Sequence, residues 1–164
     1  MRFWSVNVAS GPFTFAQLAR AAGIGVDRVR LYRDRGLLQA ARRVRGRHDD
    51  RAYYEEHLDR LRFIESARHY GFSLHAIAMI VDETGLGTCN DIYRIAVAEL
   101  EGLRRERDPS DSTLRAFEQL IATCSRRGPR ANCGILAALS ARQTGLTRPA
   151  EKPGKEIVPD RAEP

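Results

Sequence analysis

Three cysteines constrain the fold of this chain more than any other feature of its sequence. Cys89 and Cys124 lie 35 positions apart, at the two ends of a stretch with helical patterning, and Cys133 follows 9 positions later. A continuous helix rises about 1.5 Å per residue, so it would hold the first two thiols about 50 Å apart. One chain in that conformation cannot bring its three thiols together, whereas two antiparallel copies can. The spacing therefore predicts a dimer with a three-thiolate pocket at each end, which suits a soft metal ion.

The stretch between the cysteines, residues 88–123, has the pattern of a dimerisation helix. Apolar side chains recur every seven positions, as in the seam of an antiparallel coiled coil. The two rows are Ala96, Leu103, Ser110 and Phe117, and Leu100, Arg107, Leu114 and Ile121. Pro109 would cost about 3 kcal/mol inside a regular helix. We therefore expect a kink near Pro109, or two helices of which Ser110 or Asp111 caps the second.

Two short helices around a glycine-containing turn are predicted near the N-terminus. Thr14 is a good N-cap for a first helix over residues 15–22, and Gly23 begins the turn. A second helix runs from about Val26 to Arg35 and ends at a glycine, the residue that favours a left-handed C-cap. This order predicts a helix-turn-helix, whose second helix can enter the major groove of DNA.

An arginine-rich segment follows, and it is too charged to belong to a core. The stretch from Arg28 to Arg51 contains many arginines and no lysine, and we interpret its second half as a β-ribbon wing or a loop. The net charge of +6 and the pI of about 9.7 favour a polyanionic partner. Arginine also suits bidentate contacts to phosphate and guanine. Further helices are predicted at about 54–70 and 74–83.

The candidate DNA contacts lie on the two short helices and the wing. Arg28 and Arg30 on the second helix can reach base edges or phosphates, and the Tyr32 hydroxyl can reach a phosphate. Tyr32 has the alternative role of a core aromatic residue. The full set of candidates is Thr14, Arg20, Arg28, Arg30, Tyr32, Arg51 and Tyr53.

Several of these segments resemble the MerR family of bacterial regulators. They are residues 13–32, Arg35-Gly36-Leu37-Leu38, Leu61-Arg62-Phe63-Ile64 and Gly71-Phe72-Ser73-Leu74. The metal-sensing branch has one cysteine before its dimerisation helix, one after it and a third before an apolar turn. Cys89, Cys124 and Cys133-Gly134-Ile135-Leu136 match that pattern, with a spacing most similar to that of the mercury sensors.

The resemblance implies an all-α homodimer that binds a palindromic operator in promoter DNA. It further implies repression without metal and, with metal bound, activation through DNA distortion that lets RNA polymerase engage. Hg(II) is the first effector we expect, with Pb(II), Cd(II) or Zn(II) as alternatives. Zinc sensors of this branch usually carry another cysteine at the position of Thr123. A DNA-binding or scaffold protein without metal function is the alternative from another class, and an enzyme is not expected.

These features predict four regions along the chain. They are a winged helix-turn-helix domain (13–83), the dimerisation helix (88–123), a metal-binding loop with a short helix (124–140) and a disordered tail (141–164). No run approaches the roughly 18 apolar residues that a bilayer span requires. Nor does the start show the pattern of a signal peptide. Reduced thiols in the cytoplasm are therefore expected.

The groups around the cysteines bear on their chemistry. Arg126, Arg127 and Arg130 lie between the second and third cysteine, so we expect positive charge to lower the thiol pKa values. The four histidines have no spacing to the cysteines that would make them ligands, and we interpret them as surface or packing residues. They are His48, His57, His69 and His75.

Overall fold

The computed structural model describes residues 12–43, 51–82, 87–108 and 111–141, and this part of the chain is mostly helical. The α-helices are α1 (Phe15–Ala21), α2 (Val26–Asp34), α3 (Glu55–Tyr70), α4 (Leu74–Val81), α5 (Cys89–Glu106), α6 (Ser112–Ala122) and α7 (Gly134–Ala141). Two short strands, β1 (Arg42–Arg43) and β2 (Arg51–Ala52), pair antiparallel. The prediction of a helical fold is confirmed. Apart from Ala141, the predicted tail lies outside the described residues, as does His48.

Local signals build the helix-turn-helix. Thr14 and Gln17 form a capping box at the start of α1, which satisfies two backbone N–H groups that the helix leaves unpaired. Gly23 in the turn has a φ of 69°, a left-handed conformation that a residue with a Cβ rarely adopts. Buried residues of both helices, including Leu18 and Val29, contribute to the core. The two predicted helices and their turn are present.

Helix α3 is the central element onto which the other parts pack. A backbone bridge between Phe13 and Tyr53 ties the start of the chain to the base of the β1–β2 wing. Phe63 and Ile64 of α3 are buried, and Gly71 ends the helix with a φ of 102°. Helices α1, α4, α6 and α7 all contact α3. Both ends of the molecule therefore share one core.

The predicted dimerisation helix is two helices in the structure. Helix α5 ends at Glu106, and α6 begins after Asp111, whose side chain accepts a hydrogen bond from the Thr113 N–H at 2.7 Å. This is the alternative in which Asp111 caps a second helix. The seam residues Leu100 and Phe117 are buried within this single chain. A continuous coiled-coil helix is not confirmed, because the seam is filled by the chain folding back on itself.

Helix α6 lies against α5 and also reaches the DNA-binding end of the molecule. The ring centroids of Phe72 and Phe117 are 4.5 Å apart, and α7 packs on α3. Between α5 and α6, Arg104 and Glu118 form an ion pair at 2.5 Å. None of the helices described here is both long enough and apolar enough to cross a membrane.

Candidate metal centre and nucleic-acid interface

The three cysteines meet in one chain. Cys89 is the first residue of α5, Cys124 follows the end of α6, and Cys133 comes just before α7. Their sulfur atoms all lie within 4.8 Å of one another, and the Sγ atoms of Cys89 and Cys124 are 2.8 Å apart. Cys89 and Cys133 are buried and Cys124 is half-buried, and all three are free thiols.

This geometry corrects the inference that a single chain cannot bring the three thiols together. That inference assumed one continuous helix between Cys89 and Cys124. The chain instead reverses direction between Glu106 and Ser112, so α6 returns along α5 and delivers the second thiol to the first. A second copy of the chain is not required to complete the pocket.

Backbone hydrogen bonds hold the connection between α6 and α7 against the start of α5. The Cys89 N–H donates to the Gly128 carbonyl at 3.1 Å, and Thr88 forms a β-bridge with Pro129. The Cys133 N–H donates to the Arg130 carbonyl at 3.0 Å. We call residues 124–133 the thiol loop. Its ends and its middle are therefore fixed relative to the first residue of α5.

Gly134 allows the second and third cysteines to approach each other. A Cβ at this position would lie 2.1 Å from the Thr123 carbonyl oxygen, far inside van der Waals contact. Thr123 immediately precedes Cys124, and Gly134 immediately follows Cys133. The missing side chain thus lets two backbone segments cross next to the thiols. The sequence showed the glycine but not the segment that it meets.

The thiol pocket disfavours charge while it holds no cation. Burial, followed by the hydrogen bond with Cys89, raises the pKa of the Cys124 thiol above its ordinary value. The Arg126 N–H, 3.4 Å from the Cys124 sulfur, opposes this shift. A metal ion that binds here must therefore displace protons from the thiols. The expected lowering of the thiol pKa values is wrong for Cys124.

The arginines of the thiol loop have other partners, which explains the error. The Arg126 guanidinium lies over the Tyr93 ring, 5.1 Å from its centroid. The Arg130 guanidinium donates to the carbonyls of Ile80 and Asp82. Charge that is adjacent in sequence is thus directed to an aromatic ring and to a helix end.

The pocket offers three ligands. Among the described residues, these cysteines are the one group of three or more His, Cys, Asp or Glu side chains placed to hold an ion. The Thr123 hydroxyl donates to the Leu120 carbonyl at 2.7 Å. His57 is buried, and its Nδ1 accepts the Tyr54 N–H at 3.0 Å, while His69 and His75 are exposed. Three sulfur atoms around a shared point suit a thiophilic ion of low coordination number.

The candidate DNA contacts on α2 form an exposed basic surface. Arg28 pairs with Glu65 at 3.0 Å, and Arg30 pairs with Asp27 at 2.7 Å. The Tyr32 ring is buried, and its hydroxyl donates to Glu65 at 2.6 Å. Burial, then this hydrogen bond, raises the Tyr32 pKa well above its ordinary value. Tyr32 therefore has the packing role that was its alternative, and its hydroxyl is bonded to a carboxylate.

The remaining candidates are dispersed. Thr14 caps α1, and Arg20 is exposed near the end of that helix. The Tyr53 ring is buried, with its centroid 5.7 Å from that of Phe15. The Arg51 backbone lies in β2, and its side chain is outside what the structure describes. These positions surround α2 but do not form one cluster.

Glu65 is a residue that the sequence did not reveal. Its carboxylate binds both Arg28 and Tyr32, from positions 37 and 33 residues away in the chain. A lone Glu in an amphipathic helix gives no signal of such a role. Only the packing of α3 behind α2 brings these groups together.

The chain was compared with families, sequences and solved structures. Residues 13–84 match the model of the MerR HTH family regulatory proteins. A mercuric resistance operon regulatory protein from Shigella flexneri is 28% identical over 137 residues, covering 84% of this chain and 93% of that protein. The HTH-type transcriptional regulator ZntR from Escherichia coli is 28% identical over 138 residues, covering 82% and 96%.

A solved structure gives the same result. The transcription regulator PbrR691 from Ralstonia metallidurans, in complex with lead(II), superposes with a TM-score of 0.50 and 28% identity. The match covers 77% of this chain and 98% of that one. The expected resemblance is confirmed, as is the expectation of a regulatory protein and not an enzyme. With its helix-turn-helix and its three cysteines at the family's spacing, this chain belongs to the MerR family of regulatory proteins.

Proposed function

We propose that this protein is a metal-responsive transcription regulator whose effector is a thiophilic ion, Hg(II) first among the candidates. Cys89, Cys124 and Cys133 are the proposed ligands. The observation that carries the proposal is the convergence of three sulfur atoms within 4.8 Å in a largely buried pocket. Such a pocket supplies soft thiolate donors and excludes most competing water.

The ligand set supports Hg(II) over Zn(II). Zinc prefers four tetrahedral ligands, and Thr123, where zinc sensors of this family usually have a cysteine, uses its hydroxyl on a backbone carbonyl. Relatives with about the same identity to this chain are named for mercuric resistance, for ZntR and for a lead(II) complex. Pb(II) and Cd(II) therefore remain the alternatives that the titration below separates.

The regulator acts on promoter DNA in the cytoplasm, as a homodimer on a palindromic operator. Helix α2 carries exposed Arg28 and Arg30, which suit major-groove and phosphate contacts. We propose the dimer from the family resemblance and operator symmetry, because the seam that first suggested it is filled within one chain. In this proposal the metal-free protein represses, and the metal-bound protein distorts the promoter so that RNA polymerase can engage.

Metal titration tests the choice of effector. The reduced protein is titrated with Hg(II), Pb(II), Cd(II) and Zn(II) while ultraviolet thiolate-to-metal absorption is recorded. We expect saturation at one ion per chain, with Hg(II) displacing the other three. Saturation only by Zn(II), or no absorption with any ion, would contradict the proposed effector.

A footprint on promoter DNA tests the response. We expect operator protection both with and without Hg(II), and hypersensitive cleavage at the operator centre only with the ion. Protection that does not change with any of the four ions would favour the alternative, a DNA-binding protein without metal function.

A further inference from the structure

Arg130 joins the thiol loop to the end of helix α4. It lies in the short 3-10 turn Arg130–Asn132, and its carbonyl accepts the Cys133 N–H at 3.0 Å. Its guanidinium donates to the Asp82 carbonyl at 3.2 Å and to the Ile80 carbonyl. One residue thus contacts a proposed metal ligand through its backbone and the DNA-binding domain through its side chain.

Arg60 of α3 continues the connection on the other side of α4. It is buried, with only 7% of its surface exposed. Its guanidinium donates to the Val81 carbonyl at 3.1 Å and to the Leu37 carbonyl at 2.9 Å. Leu37 follows the C-terminus of α2, and its own N–H donates to the Tyr32 carbonyl at 2.9 Å.

The end of α4 explains why two cations gather there. The last carbonyls of a helix have no partner within the helix and lie at the negative end of its dipole. The last turn of α4 has no basic residue of its own. Charge-assisted hydrogen bonds to these carbonyls therefore come from Arg130 on one side and Arg60 on the other.

We propose that Arg130, the carbonyls of residues 80–82 and Arg60 form an arginine relay that transmits the state of the thiol pocket to the end of α2. Arg130 is a positioning residue in this relay and does not bind the ion. The relay rests on the proposed function, because it names the internal route by which the same site is read. Drawing Cys133 toward an ion displaces the Arg130 backbone that is bonded to it. The guanidinium then shifts against the last turn of α4 and changes the seat of Arg60 beneath Leu37.

The central test compares Arg130→Met with Arg127→Met in the full chain. Both changes remove one positive charge from the thiol loop, but Arg127 is exposed and its guanidinium does not bind these carbonyls in the structure. The quantity measured is the factor by which Hg(II) changes operator affinity, which for typical allosteric proteins is about 5- to 150-fold. We expect this factor to fall to near one in R130M and to stay at the wild-type value in R127M.

Two further affinities separate a positioning role from a merely structural one. R130M should bind Hg(II), and the metal-free protein should bind its operator, within about threefold of wild type, because neither contact set includes this guanidinium. Arg130→Lys keeps one donor, so it should retain part of the coupling. A wild-type coupling factor in R130M would overturn the relay, as would a loss of coupling that matches a loss of Hg(II) affinity.

Hydrogen exchange tests the relay without any metal. In R130M the Leu37 amide should exchange about threefold to tenfold faster than in R127M, since the support beneath it is loosened. If wild type shows no metal-linked change at the operator, the proposed function fails and this measurement alone judges the relay. Unchanged Leu37 exchange in R130M would then overturn it. If R130M does not fold, the same comparison is made with R130K.

Discussion

The DNA-binding end and the thiol end of this molecule are held together in different ways. At the DNA-binding end, caps and turns act over a few residues, as in the Thr14–Gln17 capping box. At the thiol end, the decisive contacts join distant parts of the chain, as between Cys89 and Gly128. The first end presents exposed charge, and the second encloses sulfur. The difference indicates that DNA contact depends on local folding, whereas the pocket depends on the complete tertiary structure.

The largest expected effect is the loss of metal binding when one cysteine is replaced. Cys124→Ser should weaken Hg(II) binding by more than about 100-fold, because losing even an outer-shell partner of a metal ligand costs 10- to 100-fold. Operator binding by the metal-free variant should remain near wild type. Ultraviolet titration and gel shift measure the two quantities. A parallel loss of operator binding would mean that the cysteine is structural, and the contrast between the two ends would disappear.

A mixing experiment sharpens the same contrast. Because the pocket closes within one chain, Cys89→Ser and Cys124→Ser proteins should not restore tight Hg(II) binding when they are refolded together. The singly mixed wild-type protein serves as the positive control. Restoration of one site per two chains would instead show that the subunits share ligands.

The next effect in size concerns the backbone crossing beside the pocket. Gly134→Ala places a Cβ 2.1 Å from the Thr123 carbonyl oxygen, so the two segments must separate. We expect a loss of about 1–3 kcal/mol in the free energy of unfolding and weaker Hg(II) binding. Gly102→Ala is the matched control, because its Cβ meets nothing within 4 Å and the change favours helix. Thermal unfolding and metal titration of both variants measure the difference, and equal behaviour would refute the crossing.

A smaller effect is expected at the DNA-binding end. Arg28→Met should weaken operator binding about tenfold and lower the dependence of log affinity on log salt by about one unit. Hg(II) binding should not change. Arg105→Met on α5 removes the same charge from another surface and is the control. If the two variants lost operator affinity equally, the effect would come from net charge and not from α2.

The smallest effect is a pH dependence at the start of α6. The Arg107 side chain first, and then the Thr113 N–H, hold the Asp111 pKa below its ordinary value. Because the folded pKa is the lower one, this carboxylate stabilises the fold above about pH 4 and loses that contribution as pH falls through the folded pKa. Asp111→Asn should therefore flatten the acid limb of the melting temperature profile. An unchanged profile would remove Asp111 from the cap.

The sequence predicted the DNA-binding end well because its signals are local. Gly23 and Thr14 each act on neighbouring residues, and the structure shows both in their predicted roles. The three thiols could be grouped from their spacing, and Asp111 was a recognised cap. The reversal between α5 and α6 could not be predicted, because the seam pattern of Leu100 and Phe117 is the same whether the partner is another chain or the same one.

Electrostatic expectations failed for a related reason. Arginines adjacent to the thiols in sequence suggested low thiol pKa values, yet their guanidinium groups bind a tyrosine ring and the end of α4. Glu65 gave no signal at all, since its partners are more than thirty residues away. Side-chain partners of this kind are set by the packing of helices, which composition and spacing do not encode.

The shared core has a consequence for protein engineering. Phe117 stacks on Phe72, and α7 packs on α3, so the part of the chain after α5 covers apolar surface of the DNA-binding half. Cutting the chain after α5 would expose that surface to water, and a foreign sensor grafted there would need to supply a matching apolar face. Chimaeras of this protein should therefore exchange α3 together with the residues that cover it.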